Sequence, residues 1–241
     1  MKNYIPNTIT LFNLLSGVLS IFYAMSGQLD MAAWFIFAAA LFDFLDGFAA
    51  RLLHAKSAIG GQLDSLADVV SFGVAPGFIL FQMIDMSHGQ PMHTSESFTI
   101  LPFLAFIVPA FGALRLAKFN VDDTQTDSFK GLPIPACGIF IASLPLIRTE
   151  LYEERELFYM MITNTYFLIA IGVVLSFLMV SNFPMFGLKF KNFTLKDNLI
   201  KYFFLAVLLV LLILLQVVAI PFIIILYLFL SLILYLTEIQ G

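Results

Sequence analysis

Asp43, Asp46, Asp64 and Asp68 form two pairs of carboxylates, spaced three and four residues apart, beside segments apolar enough to sit in lipid. One Asp at the centre of a membrane helix costs roughly 2.5 to 3.5 kcal/mol on insertion scales, so four left bare would cost roughly 10 kcal/mol or more. Something cationic must compensate them. A helix advances about 100° per residue, which puts each pair on one face, about 60° apart for 43 and 46 and about 40° for 64 and 68. Two such faces on consecutive helices can converge on a hard divalent metal, which prefers carboxylate oxygens. Gly47, Ala49, Ala50, Gly60, Gly61, Ser65 and Ala67 surround the acids with small side chains, leaving room for a ligand or a neighbouring helix. Arg51, one turn beyond Gly47, carries a planar fork suited to phosphate, its other role being to snorkel to the interface. Metal, carboxylate and arginine together suit phosphoryl transfer. Asp68, last in the array and least needed to close a metal shell, is the candidate general base.

The elements that must position these groups are membrane helices. Of 241 residues 61% are hydrophobic and 12% charged, with a mean hydropathy of +0.97, whereas soluble domains run near 25% charged. An all-α integral membrane protein is expected, with no separate soluble domain. Apolar windows predict eight spans near 8–26, 31–53, 65–86, 98–118, 132–148, 160–181, 199–217 and 220–237, the last two a hairpin broken at Pro221. The first run superficially resembles a signal peptide and is read as a retained span. With the N-terminus cytoplasmic, Lys2, Arg51, Lys56, Arg115, Lys118, Lys130, Lys189, Lys191, Lys196 and Lys201 gather on one side, against Arg148 and Arg155 on the other. Ten against two places the carboxylates at the cytoplasmic mouth of a cell-membrane protein.

Other polar residues invite blander readings. Cys137 lies in an apolar run with no metal-ligand pattern and is read as packing. His54, His88 and His93 share no helical face and are assigned to loops, and Asp122, Asp123 and Asp127 to a solvated loop.

The string Asp43, Asp46-Gly47, Ala50-Arg51, Gly60, Asp64, Asp68 has the full spacing of the CDP-alcohol phosphotransferase signature, D-x2-D-G-x2-A-R-x8-G-x3-D-x3-D, with no position departing. Pro6-Asn7-Thr8-Ile9-Thr10 likewise looks like the P-N-x-x-T element that precedes the first span in many members. The resemblance covers about residues 5 to 181 and implies a six-helix core, commonly homodimeric, with the signature on helices two and three. It divides the chain into a catalytic unit at 1–195 and a transmembrane hairpin at 196–241. It further implies two divalent ions, Mg2+ or Mn2+, on Asp43, Asp46, Asp64 and Asp68, with Asp68 doubling as base. Asn7, Thr10, Gly47, Ala50, Arg51 and Gly60 would line the CDP site.

The signature is common to members using different acceptors. Ser71-Phe-Gly73-Val-Ala-Pro76-Gly77, Leu114-Arg115-Leu-Ala-Lys118-Phe-Asn120 and Phe129-Lys130-Gly131-Leu-Pro133-Ile-Pro135-Ala136 resemble the serine-accepting members. The expected reaction moves a phosphatidyl group from CDP-diacylglycerol to serine and releases CMP; no nucleic acid is implied. Serine carries a carboxylate, and Arg115, Lys118 and Lys130 lie on the side where the cluster opens, Arg115 being the best bidentate partner; the competing account is that these three cations merely follow the positive-inside rule. Ser71, Arg115 and Lys130 are the candidate acceptor-binding residues. A different acceptor, such as glycerol 3-phosphate or an inositol phosphate, is the nearest rival. A divalent-cation transporter is a remoter one, disfavoured because the acids gather at one mouth and no acidic series continues through the other spans.

Overall fold

Backbone polar groups in lipid find no water, so an apolar chain must close its hydrogen bonds within helices. The computed structural model, which describes residues 4–55, 57–88, 100–121, 129–151, 156–185, 194 and 198–237, follows that rule. It contains α1 (Tyr4–Met25), α2 (Leu29–Leu52), α3 (Ala58–Asp68), a π-helical segment (Val69–Val74), α4 (Ala75–Asp85), a 3-10 segment (Leu101–Phe106), α5 (Ile107–Val121), β1 (Phe129–Lys130), α6 (Ile134–Leu151), α7 (Glu156–Ile162), α8 (Thr165–Val180), β2 (Pro184–Met185), α9 (Leu199–Leu215), a second 3-10 segment (Gln216–Val218) and α10 (Ala219–Leu236). Among the described residues six helical runs, 4–25, 29–52, 58–85, 101–121, 134–151 and 199–236, are long and apolar enough to cross a membrane. The protein is an all-α integral membrane protein. Lys2, Lys56, His93, Asp122, Asp123, Asp127, Arg155, Lys189, Lys191 and Lys196, with the readings attached to them, lie outside the described residues.

The crossings come to eight once the shorter α8 is counted and the last run is divided. Phe204 of α9 and Tyr227 of α10 have ring centroids 5.9 Å apart; on one straight helix, 23 residues would separate them by about 35 Å. The run therefore folds back as a hairpin, but not at Pro221. It breaks at Gln216, whose φ of 48° and ψ of −123° end α9. Pro221 falls in the first turn of α10, where a missing N–H is tolerated.

End-to-end links agree with this path. At one end Thr149 Oγ1 donates to both Asp30 oxygens at 3.2 Å. Also there, His88 exchanges backbone hydrogen bonds with Thr163 and Thr165 at 2.9 and 3.1 Å, and Val217 and Val218 pack on Ile147, Leu151 and Ile162. At the other end Asn120 Nδ2 donates to Ser65 Oγ at 3.0 Å, and β1 pairs antiparallel with β2, Lys130 opposite Pro184. Arg51, Arg115, Lys118, Lys130 and Lys201 belong to this second end, and Arg148 to the first.

The run Ala58–Asp85 is the axis of the bundle: 67% of its apolar window is buried, against 33% for α1 and 28% for α2. It begins earlier than hydropathy predicts because Ser57 caps it, its Oγ accepting from Gly60 N at 3.0 Å, so that Gly60 and Asp64 are helical. The π turn relieves Pro76, which cannot donate to the preceding turn and whose ring would press on the Phe72 carbonyl in a regular α-helix. Lipid tails are as apolar as leucine, so close packing must hold such helices together. A Cβ on Gly138 would lie 3.0 Å from Phe72 Cα, and one on Gly77 3.0 Å from Pro109 Cδ. Both glycines are sites of close helix approach.

Candidate active site

The tight turn at Gly27, with φ of 76°, returns the chain so that α1 and α2 pack antiparallel. α3 then lies against α1, and three rungs tie α1 to its neighbours from the mouth inward, the first and third to α3 and the second to α2. At the mouth, Asn7 Oδ1 is 3.1 Å from where a Cβ on Gly60 would be. One turn deeper the Thr10 hydroxyl, which donates to Pro6 O at 3.1 Å, lies beside the Asp46 carboxylate. Deeper still Asn13 Nδ2 donates to Asp68 Oδ1 at 3.3 Å. Asp46 and Asp68 are 6% and 9% exposed and Asn13 is 0% exposed, so these contacts occur out of water.

Oxygens of Asp43, Asp64 and Asp68 lie within 4.8 Å of one another. Asp46 stands outside that triple but within charge-interaction range of Asp43 and Asp64. Like charges this close and this desolvated repel strongly. Among the described residues, buried Asp46 Oδ2 and Asp64 Oδ1 have no hydrogen-bond partner, and native structures seldom leave such acceptors bare. Crowded carboxylates with unpartnered oxygens fit a divalent cation, whose hard charge takes six to eight oxygens as calcium or six as magnesium.

The predicted nucleotide residues cluster beside the acids. The Arg51 guanidinium folds over Gly47, its Nη1 3.5 Å from where a Cβ on that glycine would be. Arg51 is exposed, whereas Asn7, Gly47, Ala50 and Gly60 are half-buried.

The predicted acceptor residues divide. Arg115, 8% exposed, is close enough to Asp68 for their charges to interact, and its Nε has no partner among the described residues. Its guanidinium stands 5.8 Å from the Phe119 ring centroid. Together with Lys118, Phe119, Lys130, Met179, Val180, Ser181 and Asn182 it lines a cavity of about 90 Å³. Ser71 is elsewhere: fully buried, its Oγ donates to Asn13 O at 2.9 Å and presses on Gly17 of α1. Cys137 is packed in the core, as expected.

Asn13, a polar residue in the first apolar run, is a site residue that the signature motif does not include. A signal was present, since Asn13 shares a buried stripe with Thr10, Ser16, Gly17 and Ser20 at helical spacing.

Residues 3–178 match the family model for CDP-alcohol phosphatidyltransferases, which takes in α1 through α8 and all four aspartates. The chain belongs to the CDP-alcohol phosphatidyltransferase family. Its members use divalent metals, in keeping with the carboxylate cluster. Curated relatives include a CDP-diacylglycerol--serine O-phosphatidyltransferase from Helicobacter pylori (strain ATCC 700392 / 26695), 39% identical over 180 residues, covering 73% of this chain and 69% of the relative. One of the same name from Bacillus subtilis (strain 168) is 36% identical over 187 residues, covering 76% and 92%. An archaetidylserine synthase from Methanothermobacter thermautotrophicus is 33% identical over 172 residues, covering 69% and 67%. The family match ends within α8, so the α9–α10 hairpin stands outside it.

Proposed function

We infer that this phosphatidyltransferase moves the phosphatidyl group of CDP-diacylglycerol to the hydroxyl of L-serine, giving phosphatidylserine and CMP. The observation that carries the reading is the meeting of two walls: the Asp43, Asp64 and Asp68 oxygens within 4.8 Å of one another, and Arg115, within charge-interaction range of Asp68, lining a basic cavity. The names of the relatives support the acceptor, since the bacterial and archaeal ones all carry serine.

Asp43, Asp46, Asp64 and Asp68 would hold two divalent ions, Mg2+ or Mn2+, which when bound neutralise the pyrophosphate and the charge that develops on it. Asn7, Thr10, Gly47, Ala50, Arg51 and Gly60 hold the CDP moiety, with the Arg51 fork on phosphate. Arg115 and Lys130 take the serine carboxylate, which points the serine hydroxyl at Asp68. Asp68 accepts the hydroxyl proton as the serine oxygen bonds to the phosphatidyl phosphorus. The bond from that phosphorus to the pyrophosphate bridging oxygen breaks, and CMP leaves with the electron pair. The lipid tails never leave the bilayer, so attack is confined to one plane and orientation.

In this reading the active site opens to the cytoplasm from the cell membrane, two chains form a homodimer, and residues 1–195 are the catalytic unit to which hairpin 196–241 is appended. The test is CMP release by purified protein given CDP-diacylglycerol, divalent metal and one alcohol at a time. Serine-dependent release is expected; release driven by glycerol 3-phosphate without serine overturns the acceptor assignment.

A further inference from the structure

Asn13 is buried in the middle of a membrane helix, yet it is not satisfied there. Its Nδ2 donates to Asp68 Oδ1 at 3.3 Å while its own Oδ1 has no partner among the described residues. Turned the other way, the amide oxygen would face the oxygen of an ionised carboxylate, acceptor against acceptor, so the donor orientation is the one that suits Asp68 in the form that acts as base. For packing alone, a buried amide with a bare carbonyl is a poor choice beside an apolar residue of similar size. What the amide does supply is a fixed donor to one oxygen of Asp68.

The donor is anchored. Ser71 Oγ donates to Asn13 O at 2.9 Å, and a Cβ on Gly17, one turn on, would stand 2.5 Å from the same Ser71 Oγ. Ser71 sits in the π turn that begins directly after Asp68. The backbone of Asn13 is thus tied to the segment that carries Asp68, and neither side chain can drift from the other without breaking a buried contact.

We propose that Asn13 is a positioning residue of the transfer reaction: it occupies Asp68 Oδ1 and turns the carboxylate so that Oδ2 receives the proton of the attacking hydroxyl. The inference rests on the assignment of Asp68 as base. Oδ1, already accepting the amide N–H, is the poorer proton acceptor; Oδ2 carries the transfer.

The test is a double-mutant cycle on kcat with Asn13→Leu and Asp68→Asn, read as CMP release at saturating CDP-diacylglycerol, serine and metal. Asn13→Leu is expected to lower kcat roughly 10- to 100-fold, a part of what general-base catalysis contributes, with both KM values and the metal activation constant within about twofold. In the Asp68→Asn background the same change is expected to cost less than about threefold, because the group it positions is gone. Asn13→Ser, which matches Ser16 and Ser20 on the same face of α1, covers the case in which leucine prevents folding. Its hydroxyl falls short of Asp68, and the same kcat loss with unchanged KM is expected. Losses that multiply in the cycle, or a shift confined to KM, overturn the role of Asn13 while leaving Asp68 as base. Undiminished turnover by Asp68→Asn alone instead overturns the base assignment.

Discussion

The two walls of the site are built on opposite principles. The acidic wall comes from α1, α2 and α3, which are consecutive in the chain. Its carboxylates are placed by helical spacing alone, 43 with 46 and 64 with 68. The basic wall draws on α5, β1 and the end of α8, where Arg115, Lys118 and Lys130 meet Met179 to Asn182 across a two-stranded ribbon. One wall concentrates like charge and leaves oxygens unpartnered, a frame that needs cations. The other holds a buried guanidinium, its Nε without a partner among the described residues, within charge-interaction range of Asp68. Chemistry should therefore fail when the first wall is altered, and acceptor choice or affinity when the second is.

The largest effect is expected from Asp68→Asn. The amide remains a possible ligand but cannot accept a proton, so kcat should fall by roughly 10²- to 10⁴-fold, the usual worth of a general base, while CDP-diacylglycerol still binds; single-turnover CMP release together with a lipid-binding assay measures both. Next is Asp43→Ala, which removes one of the three clustered carboxylates. Losing even an outer partner of a metal costs about 10- to 100-fold in affinity or activity, and a direct ligand should cost at least that. Activity should return only at raised Mg2+ or Mn2+, as should that of unaltered enzyme stripped with chelator and titrated with each ion. A variant needing no extra metal would remove Asp43 from the acidic wall.

On the basic wall, Arg115→Lys keeps the charge but loses the planar fork. One charge-assisted hydrogen bond is worth about 1.5–3 kcal/mol, so KM for serine should rise by roughly tenfold or more with kcat and KM for CDP-diacylglycerol little changed. If kcat fell instead, Arg115 would belong with Asp68 rather than with the acceptor.

This contrast also explains what could be read in advance. Fixed spacing on helices encodes the acidic wall, and the apolar windows encode the eight crossings, because both are local patterns. The basic cavity depends on Lys130 reaching the end of α8 through the β1–β2 pairing, and no local pattern carries that. Gln216 gave no sign of a break, whereas Pro221 is the usual one; yet proline is at home in a first turn, and the unusual φ fell on glutamine. Hydropathy starts the third span near 65, whereas the cap by Ser57 starts the helix at Ala58, which makes Gly60 and Gly61 helical. Asn13 was legible only as a polar residue among apolar ones, since its partner lies 55 positions away.

Gly131 offers the smallest effect and the sharpest separation of the walls. Its φ is 74°, and a Cβ there would press on Met179 O and lie 2.9 Å from Ser181 O and 3.0 Å from Leu178 O. Gly131 N donates to Phe183 O at 2.8 Å and Leu132 N to Leu178 O at 3.0 Å, so this turn closes the carbonyl end of α8 and holds Lys130 against it. Left-handed backbone costs an alanine about 1–2 kcal/mol, and the carbonyls must also give way. Gly131→Ala should therefore lower the melting temperature by a few degrees and raise KM for serine a few-fold. The metal activation constant and KM for CDP-diacylglycerol should stay put, because the atoms a Gly131 side chain would meet belong to the end of α8 and to Ser181, on the basic wall. An equal rise in both KM values would mean that the two walls move as one body, and the division of labour between them would have to be given up.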